Sequence, residues 1–347
     1  MVSALYFYLE PNRNADYWSG FDKGKFCCLV SKLKWHHRYF HLQEEQELTK
    51  MIAEGDNVLV YLDARRTYMI KVKSGETFHT HKGYIKLSEL IGKPYGEPLK
   101  SSLGITFTTL DPQLTDYIMK SSRNTQIIYP KDAALIVMFS GIGPGSRVVE
   151  SGTGTGSLTT ALAHYVGETG TVTTYELRPE FQKNAIKNLQ RSKLADRVEF
   201  KQGDIVATGI EERNVDAVVL DLAVPWLVVP HAYEALKPSG TLVSFSPTID
   251  QVVKTTEAMR ENNFVFIETV ECLMRTMQVE RGKTRPNTMM TGHTGYITHA
   301  RKILKMPTAE SQQEGIRDIE PELLPETPLE EFIGKNVGVS GDNADSN

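Results

Sequence analysis

Cysteine is scarce in this chain of 347 residues: there are three, with Cys27 and Cys28 side by side and Cys272 far downstream. That number and spacing provide neither a disulfide framework nor a paired-cysteine metal site, and they fit a reducing compartment. The N-terminus lacks the succession of basic, apolar and small residues that marks a secretory leader, and no apolar run reaches bilayer-spanning length. A soluble cytoplasmic protein, with no membrane contact, is expected. His36, His37 and His41 stand close together, but no cysteine or carboxylate pattern joins them, so no metal is expected. Long basic runs are missing too. The formal net charge is −4, yet Leu304 to Asn347 carry ten acidic and three basic residues, which leaves the remainder near +3. A mildly basic body is hidden behind an acidic tail, so bulk charge does not exclude a polyanionic partner.

The length suffices for one large or two modest domains, and the composition divides the chain into four segments. Residues 1–50 are rich in aromatic and basic side chains without a clean period, and read as an extension of uncertain role. Residues 51–115 form a small β-rich domain: Val58 to Tyr61 and Tyr68 to Val72 are β-branched or aromatic runs broken by charged turns. Residues 116–303 alternate strand and helix, which argues for an α/β domain with a mostly parallel sheet covered on both faces. In its helix Leu158 to Val166, the spacing puts Leu158, Ala161, Leu162, Tyr165 and Val166 on one stripe, and the run Tyr296 to Ala300 is expected at the sheet edge. Residues 304–347, rich in Pro, Glu, Asp, Asn and Gly, read as a solvated tail, with Leu323 to Ile333 as a candidate docking helix.

The chemistry concentrates where strands end. Val148 to Ser151 is an apolar strand that breaks at Gly152-Thr153-Gly154-Thr155-Gly156 and restarts as a helix at Ser157 and Leu158. Glycine permits positive φ and close approach of backbone to a ligand, and the helix N-terminus directs unpaired N–H groups there. Such a turn suits NAD, FAD or S-adenosylmethionine. The dinucleotide fingerprint requires its third glycine three residues after the second, whereas here the glycines alternate. Glu150 at the turn's entry repels a pyrophosphate and tolerates a cationic sulfonium ligand. S-adenosyl-L-methionine is therefore the expected cofactor. Glu176, closing the strand Thr171 to Tyr175, suits a ribose diol, the alternative being an exposed strand-end charge. Asp204, in Gly203-Asp204-Ile205, suits an adenine amine, or else merely forms a turn. Asp221, after Val215 to Leu220, suits a flat amine-bearing ring, or else caps a helix starting near Pro225.

Beyond these motifs the sequence resembles the tRNA adenine-N1 methyltransferase family. The likeness rests on Arg123-Asn124-Thr125-Gln126-Ile127-Ile128-Tyr129-Pro130-Lys131-Asp132, on Glu150 to Ser157, and on Leu220-Asp221-Leu222-Ala223-Val224-Pro225-Trp226. Leu90 to Gly96, Ser244 to Pro247 and Gly292 to Tyr296 add to it, and together they cover about Met51 to Lys302. The resemblance implies a Rossmann-like class I methyltransferase with a mostly parallel seven-stranded sheet. It implies that Gln126 and Tyr129 lie over the cofactor, that Gly152, Thr153, Gly154, Thr155, Gly156, Ser157 and Leu158 cradle its methionine end, and that Glu176, Asp204 and Ile205 hold the adenosine. Asp221 matches the family's catalytic aspartate. Ala223 stands where eukaryotic members carry a proline, which puts the rigidity of this segment in question.

What the resemblance implies about activity is methyl transfer to N1 of a T-loop adenine, position 58 of tRNA with 57 left open. Asp221 would accept a hydrogen bond from the adenine N6 amine, orient the ring and stabilise the positive charge that methylation leaves on it. The base has to be turned outward first. Tyr129 and Trp226 are candidates for stacking, and Arg65, Arg66, Lys82, Lys86, Arg281, Lys283 and Arg285 for the RNA backbone. The implied assembly is a homotetramer, or a heterotetramer with a noncatalytic related subunit and a nuclear location open in a eukaryote. Two other readings stand beside this one: an isoaspartyl-type protein-carboxylate methyltransferase, and the noncatalytic RNA-binding subunit itself.

Overall fold

Between Asn57 and Leu110 the alternating and β-branched runs fold into six strands: β1 (Asn57–Asp63), β2 (Arg66–Lys71), β3 (Thr77–Thr80), β4 (Gly83–Lys86), β5 (Pro98–Lys100) and β6 (Thr106–Leu110). The computed structural model describes residues 49–122 and 126–305. The N-terminal segment with Cys27, Cys28 and its histidines, the acidic tail from residue 306 with its candidate docking helix, and Arg123 to Thr125 lie outside the described residues. Strands β2-β1-β6-β5 make an antiparallel sheet, and β3-β4 make a separate hairpin. Val58, Val60, Val72, Ile85, Leu99 and Phe107 close a buried core, so the alternation in sequence is the alternation of faces.

The chain then alternates α1 (Leu114–Met119), α2 (Pro130–Ser140), β7 (Arg147–Ser151), α3 (Ser157–Tyr165), β8 (Thr171–Glu176), α4 (Pro179–Arg191), β9 (Val198–Gln202), α5 (Ile205–Thr208), β10 (Val215–Leu220), α6 (Val229–Ala235), β11 (Leu236–Ser246), α7 (Ile249–Glu261), β12 (Phe264–Glu271), the short hairpin β13 (Met277–Gln278) and β14 (Arg285–Pro286), and β15 (Tyr296–Lys302). Seven of these strands form the main sheet in the order β12-β15-β11-β10-β7-β8-β9. The pairs β7–β10, β10–β11 and β8–β9 are parallel, while β15 is antiparallel to both its neighbours. This is the Rossmann-like, mostly parallel architecture expected. The run from Tyr296 lies between β11 and β12, however, and not at the edge. Its residues Ile297, Thr298 and Ala300 are fully buried, as a strand covered on both faces requires.

By contact the chain divides into two units, Met1–Ala134 with Gly143–Gly145 and Thr153–Gln202, and Leu135–Ile142 with Ser146–Gly152 and Gly203–Asn347. In the first, the end of α4 is tied to the β-rich part. Arg191 donates to Met69 O at 2.8 Å, and Asn57 Nδ2 donates to Arg191 O at 2.7 Å. Burial holds the Arg191 guanidinium below its ordinary value. Helix α3 is buried from Ser157 through Ala163, nearly all round, and Tyr165, expected on the buried stripe, is 46% exposed. In the second unit, Lys302 anchors β15 by donating to Tyr233 O and Leu236 O at 2.6 and 2.8 Å.

Candidate functional site

In the second unit the geometry begins with β7, whose sequence RVVES runs into the interior with Glu150 completely buried and Ser151 nearly so. Asp221 N donates to Ser151 O at 2.8 Å, which ends β10 level with β7. Gly152 has φ +96°, and a Cβ placed on it would stand 1.8 Å from Asp221 O. Only glycine lets the two strand tips close in this way. The Asp221 side chain is half-buried. The N-cap position of the 3-10 turn Pro225–Leu227 is Val224, three residues beyond Asp221.

The segment after Asp221 is held from α7. Gln251 Nε2 donates to Ala223 O at 2.9 Å, and Lys254 Nζ lies 4.9 Å from the centre of the Trp226 ring. The Gln251 bond restrains the backbone where the proline is missing. Gln251 was not among the expected site residues, although a signal for it exists: Thr248 and Gln251 form a capping box at the start of α7, a spacing readable in sequence. Trp226 is half-buried beneath that lysine, not part of the core. Asp204 is exposed and caps α5, its Oδ1 accepting from Val206 N at 3.0 Å, while Ile205 is buried. Asp204 therefore has a local role in starting α5.

The first unit holds the other half of the expected set. Glu176 is 7% exposed, which overturns the alternative of an exposed strand-end charge. Its Oε2 accepts from Gly154 N at 2.9 Å and its Oε1 from Arg178 N at 3.0 Å. Thr153 Oγ1 meets Thr174 Oγ1 at 2.6 Å, Thr155 Oγ1 meets Ser157 Oγ at 2.7 Å, and Asn188 Nδ2 donates to Thr155 O at 2.8 Å. Gly156, at φ +77°, caps α3 where a Cβ would press on Leu189 and Ala185 at 2.8 and 3.1 Å. Leu158 is buried. Tyr129 is half-buried and Gln126 exposed, and Tyr129 O accepts from Asp132 N and Ala133 N as α2 begins.

The donor set is informative about what it can hold. Residues 152–157 contain no lysine or arginine, and carboxylates stand at the end of β8, as Glu176, and just after the end of β10, as Asp221. That arrangement suits hydroxyls, amines and a cationic sulfonium, and it opposes a diphosphate. Among the described residues no group of three or more His, Cys, Asp or Glu is arranged to hold a metal ion, and no helix is long and apolar enough to cross a membrane.

Two family models match the chain. One is described as the tRNA methyltransferase complex GCD14 subunit and covers residues 109–285; the other, the TrmI-like N-terminal model, covers residues 51–97. The tRNA (adenine(57)-N1/adenine(58)-N1)-methyltransferase TrmI of Methanocaldococcus jannaschii is 38% identical over 261 residues, 68% of this chain and 91% of the relative. Among solved structures, a SAM-dependent O-methyltransferase from Thermotoga maritima superposes with a TM-score of 0.71 at 36% identity, covering 74% of this chain and 97% of that one. The tRNA (m1A58) methyltransferase TrmI from Aquifex aeolicus gives 0.65 at 31% identity, covering 74% and 100%.

Proposed function

We propose, from the premise that this chain belongs to the tRNA methyltransferase family of GCD14 and TrmI, that it methylates N1 of a T-loop adenine in tRNA, at position 58 and with 57 as a second acceptor. The observation that supports this most is the closure of the β10 tip on the glycine turn, where Asp221 O packs against Gly152 and Asp221 N bonds Ser151 O. It fixes a carboxylate at the carboxyl end of a central strand, where open α/β sheets bind ligands.

S-adenosylmethionine, when bound, supplies a methyl group carried on a positively charged sulfur. In this reading Gly152 to Leu158 receive its methionine end, and Glu150, Gln126 and Tyr129 are further cofactor-binding residues. Glu176 holds the ribose diol, since each of its oxygens keeps a lone pair beyond the one given to a backbone N–H. Asp204 and Ile205 hold the adenine end through Oδ2, Oδ1 being taken by Val206 N. Asp221 accepts from the N6 amine of the target base, which aligns N1 for attack and stabilises the charge that develops on the ring. Part of the same proposal are a tetramer, of one chain or paired with a related subunit, a cytoplasmic location, and the domain limits 51–115 and 116–303.

The test is incubation of the pure protein with labelled S-adenosylmethionine and either unmodified tRNA or an aged, isoaspartate-bearing peptide. Label is expected in tRNA as 1-methyladenosine of the T-loop. The carboxylate reading has behind it the description of the Thermotoga protein as an O-methyltransferase, and label in the peptide alone would overturn our choice. Failure to bind S-adenosylmethionine in calorimetry would point instead to a noncatalytic subunit.

A further inference from the structure

The stretch from the β1–β2 turn through the β3–β4 hairpin carries a charge concentration that the overall composition conceals. Residues 64–86 hold six lysines and arginines against one acidic residue, Glu76, in a chain of net charge −4. Glu76 is itself paired with Lys73 at 3.0 Å. The hairpin has two unlike faces. Phe78 and Ile85, directly opposite in register, pack into the core of the β-rich part. His79 and Tyr84, the next opposed pair, point away from that core, with both residues exposed and their rings 5.8 Å apart.

The exposed pair is mounted rigidly. Tyr84 N donates to Ser102 Oγ at 3.1 Å, Ser102 N donates to Tyr84 O at 2.9 Å, and Ser101 Oγ donates to Lys82 O at 2.6 Å. Gly83, at φ +97°, sits where a Cβ would come within 2.8 Å of Ser102 Oγ. On the neighbouring turn Asp63 accepts from Arg65 N and Arg66 N, and Arg66 Nη1 lies 3.3 Å from His81 Nε2. Outward aromatic rings on a fixed backbone, with Lys82 and Lys86 two residues either side of Tyr84 along the chain, are what a single-stranded nucleic acid needs. Base faces stack on the rings, and the phosphates are neutralised beside them.

We propose that this hairpin is an RNA platform: Tyr84 and His79 stack an unpaired base of the substrate, and Arg65, Lys82 and Lys86 contact the flanking phosphates. The inference rests on the reading of the substrate as tRNA and names the surface that grips it outside the transfer site. It is tested on the full-length protein by fluorescence anisotropy with unmodified tRNA at several salt concentrations. Tyr84→Ala should weaken binding about tenfold with little change in salt dependence, while Tyr84→Phe, which keeps the ring, should bind as the parent does. The pair Lys82→Gln and Lys86→Gln should reduce the slope of log affinity against log salt by about 1.5. Melting temperature and affinity for S-adenosylmethionine should hold in all of them.

Unchanged tRNA affinity and salt slope in these variants would overturn the platform. So would an altered mass in light scattering with RNA affinity intact, which would give the hairpin to a protein contact. Failure of the functional reading shows separately, as a parent protein that does not methylate tRNA. The same anisotropy on a single-stranded oligoadenylate then decides the hairpin, and Tyr84→Ala binding it as well as the parent would overturn the inference.

Discussion

Strand β10 carries an aspartate near each end, and the fold treats the two differently. Asp216 stitches strands together: its Oδ2 accepts from Arg147 N at 2.7 Å, and Lys237 Nζ donates to its Oδ1. At the other end the backbone of Asp221 does the stitching, through Ser151 O and the contact with Gly152, and the N-cap of the turn that follows is Val224. At the amino edge of the sheet the carboxylate is part of the architecture. At the carboxyl edge the main chain of Asp221 joins the two strand tips, and in the proposed reading its carboxylate serves the transfer.

The most severe way to break this contrast is Gly152→Ala. The added methyl group would stand 1.8 Å from Asp221 O, at a φ of +96° that L side chains rarely adopt. Methyl transfer should be lost altogether and the melting temperature should fall. Wild-type melting together with wild-type turnover would show that the β10 tip does not depend on the turn. Asp221→Asn comes next. It keeps the shape and removes the charge, so transfer should slow by about 10²–10³, the scale for losing one preorganised group facing developing charge. Cofactor affinity by calorimetry and the melting curve should stay put, and turnover within threefold of the parent would take Asp221 out of the chemistry.

Glu176→Gln should act on the cofactor. The amide replaces one carboxylate oxygen by a donor, which then faces either Gly154 N or Arg178 N, both already donors. S-adenosylmethionine affinity should drop about ten- to a hundredfold, as expected for a buried hydrogen bond to a charged group. Unchanged affinity would mean that this tip is only architectural, like Asp216.

How much of this was legible in the chain depended on range. The glycine turn, the strand before it and the acids at Glu176 and Asp221 were readable because each is local: a run of β-branched residues, then a backbone position that excludes Cβ, or a charge. The position of β15 was not, since pairing between β11 and β12 depends on strands separated by a helix, and an apolar run reads alike at an edge or inside. Helical period puts Tyr165 on the buried stripe, but α3 is buried nearly all round until its last turn, so period does not pick the exposed residue. The support of Ala223 by Gln251 spans 28 positions and belongs to tertiary packing alone. For Asp204 both readings were visible; the structure adds that one oxygen is occupied by a cap.

The smallest expected effect sharpens the comparison from the architectural end. Burial pushes the Asp216 carboxyl up, but the Lys237 and Arg147 bonds outweigh it and hold the group below its ordinary 3.8. A depressed value in the folded state means that the stabilisation is complete above 3.8 and is lost as pH falls through the folded value. Asp216→Asn should therefore lower stability near neutral pH by about 1 kcal/mol or less, the range for a partly exposed pair, without slowing methyl transfer. Denaturant melts of the two proteins should converge as the pH drops below 4, because protonated aspartate and asparagine then present much the same group to Arg147 and Lys237. A gap that persists in acid would place the stabilisation in packing rather than charge, and a loss of transfer at neutral pH would dissolve the distinction between the two ends of β10.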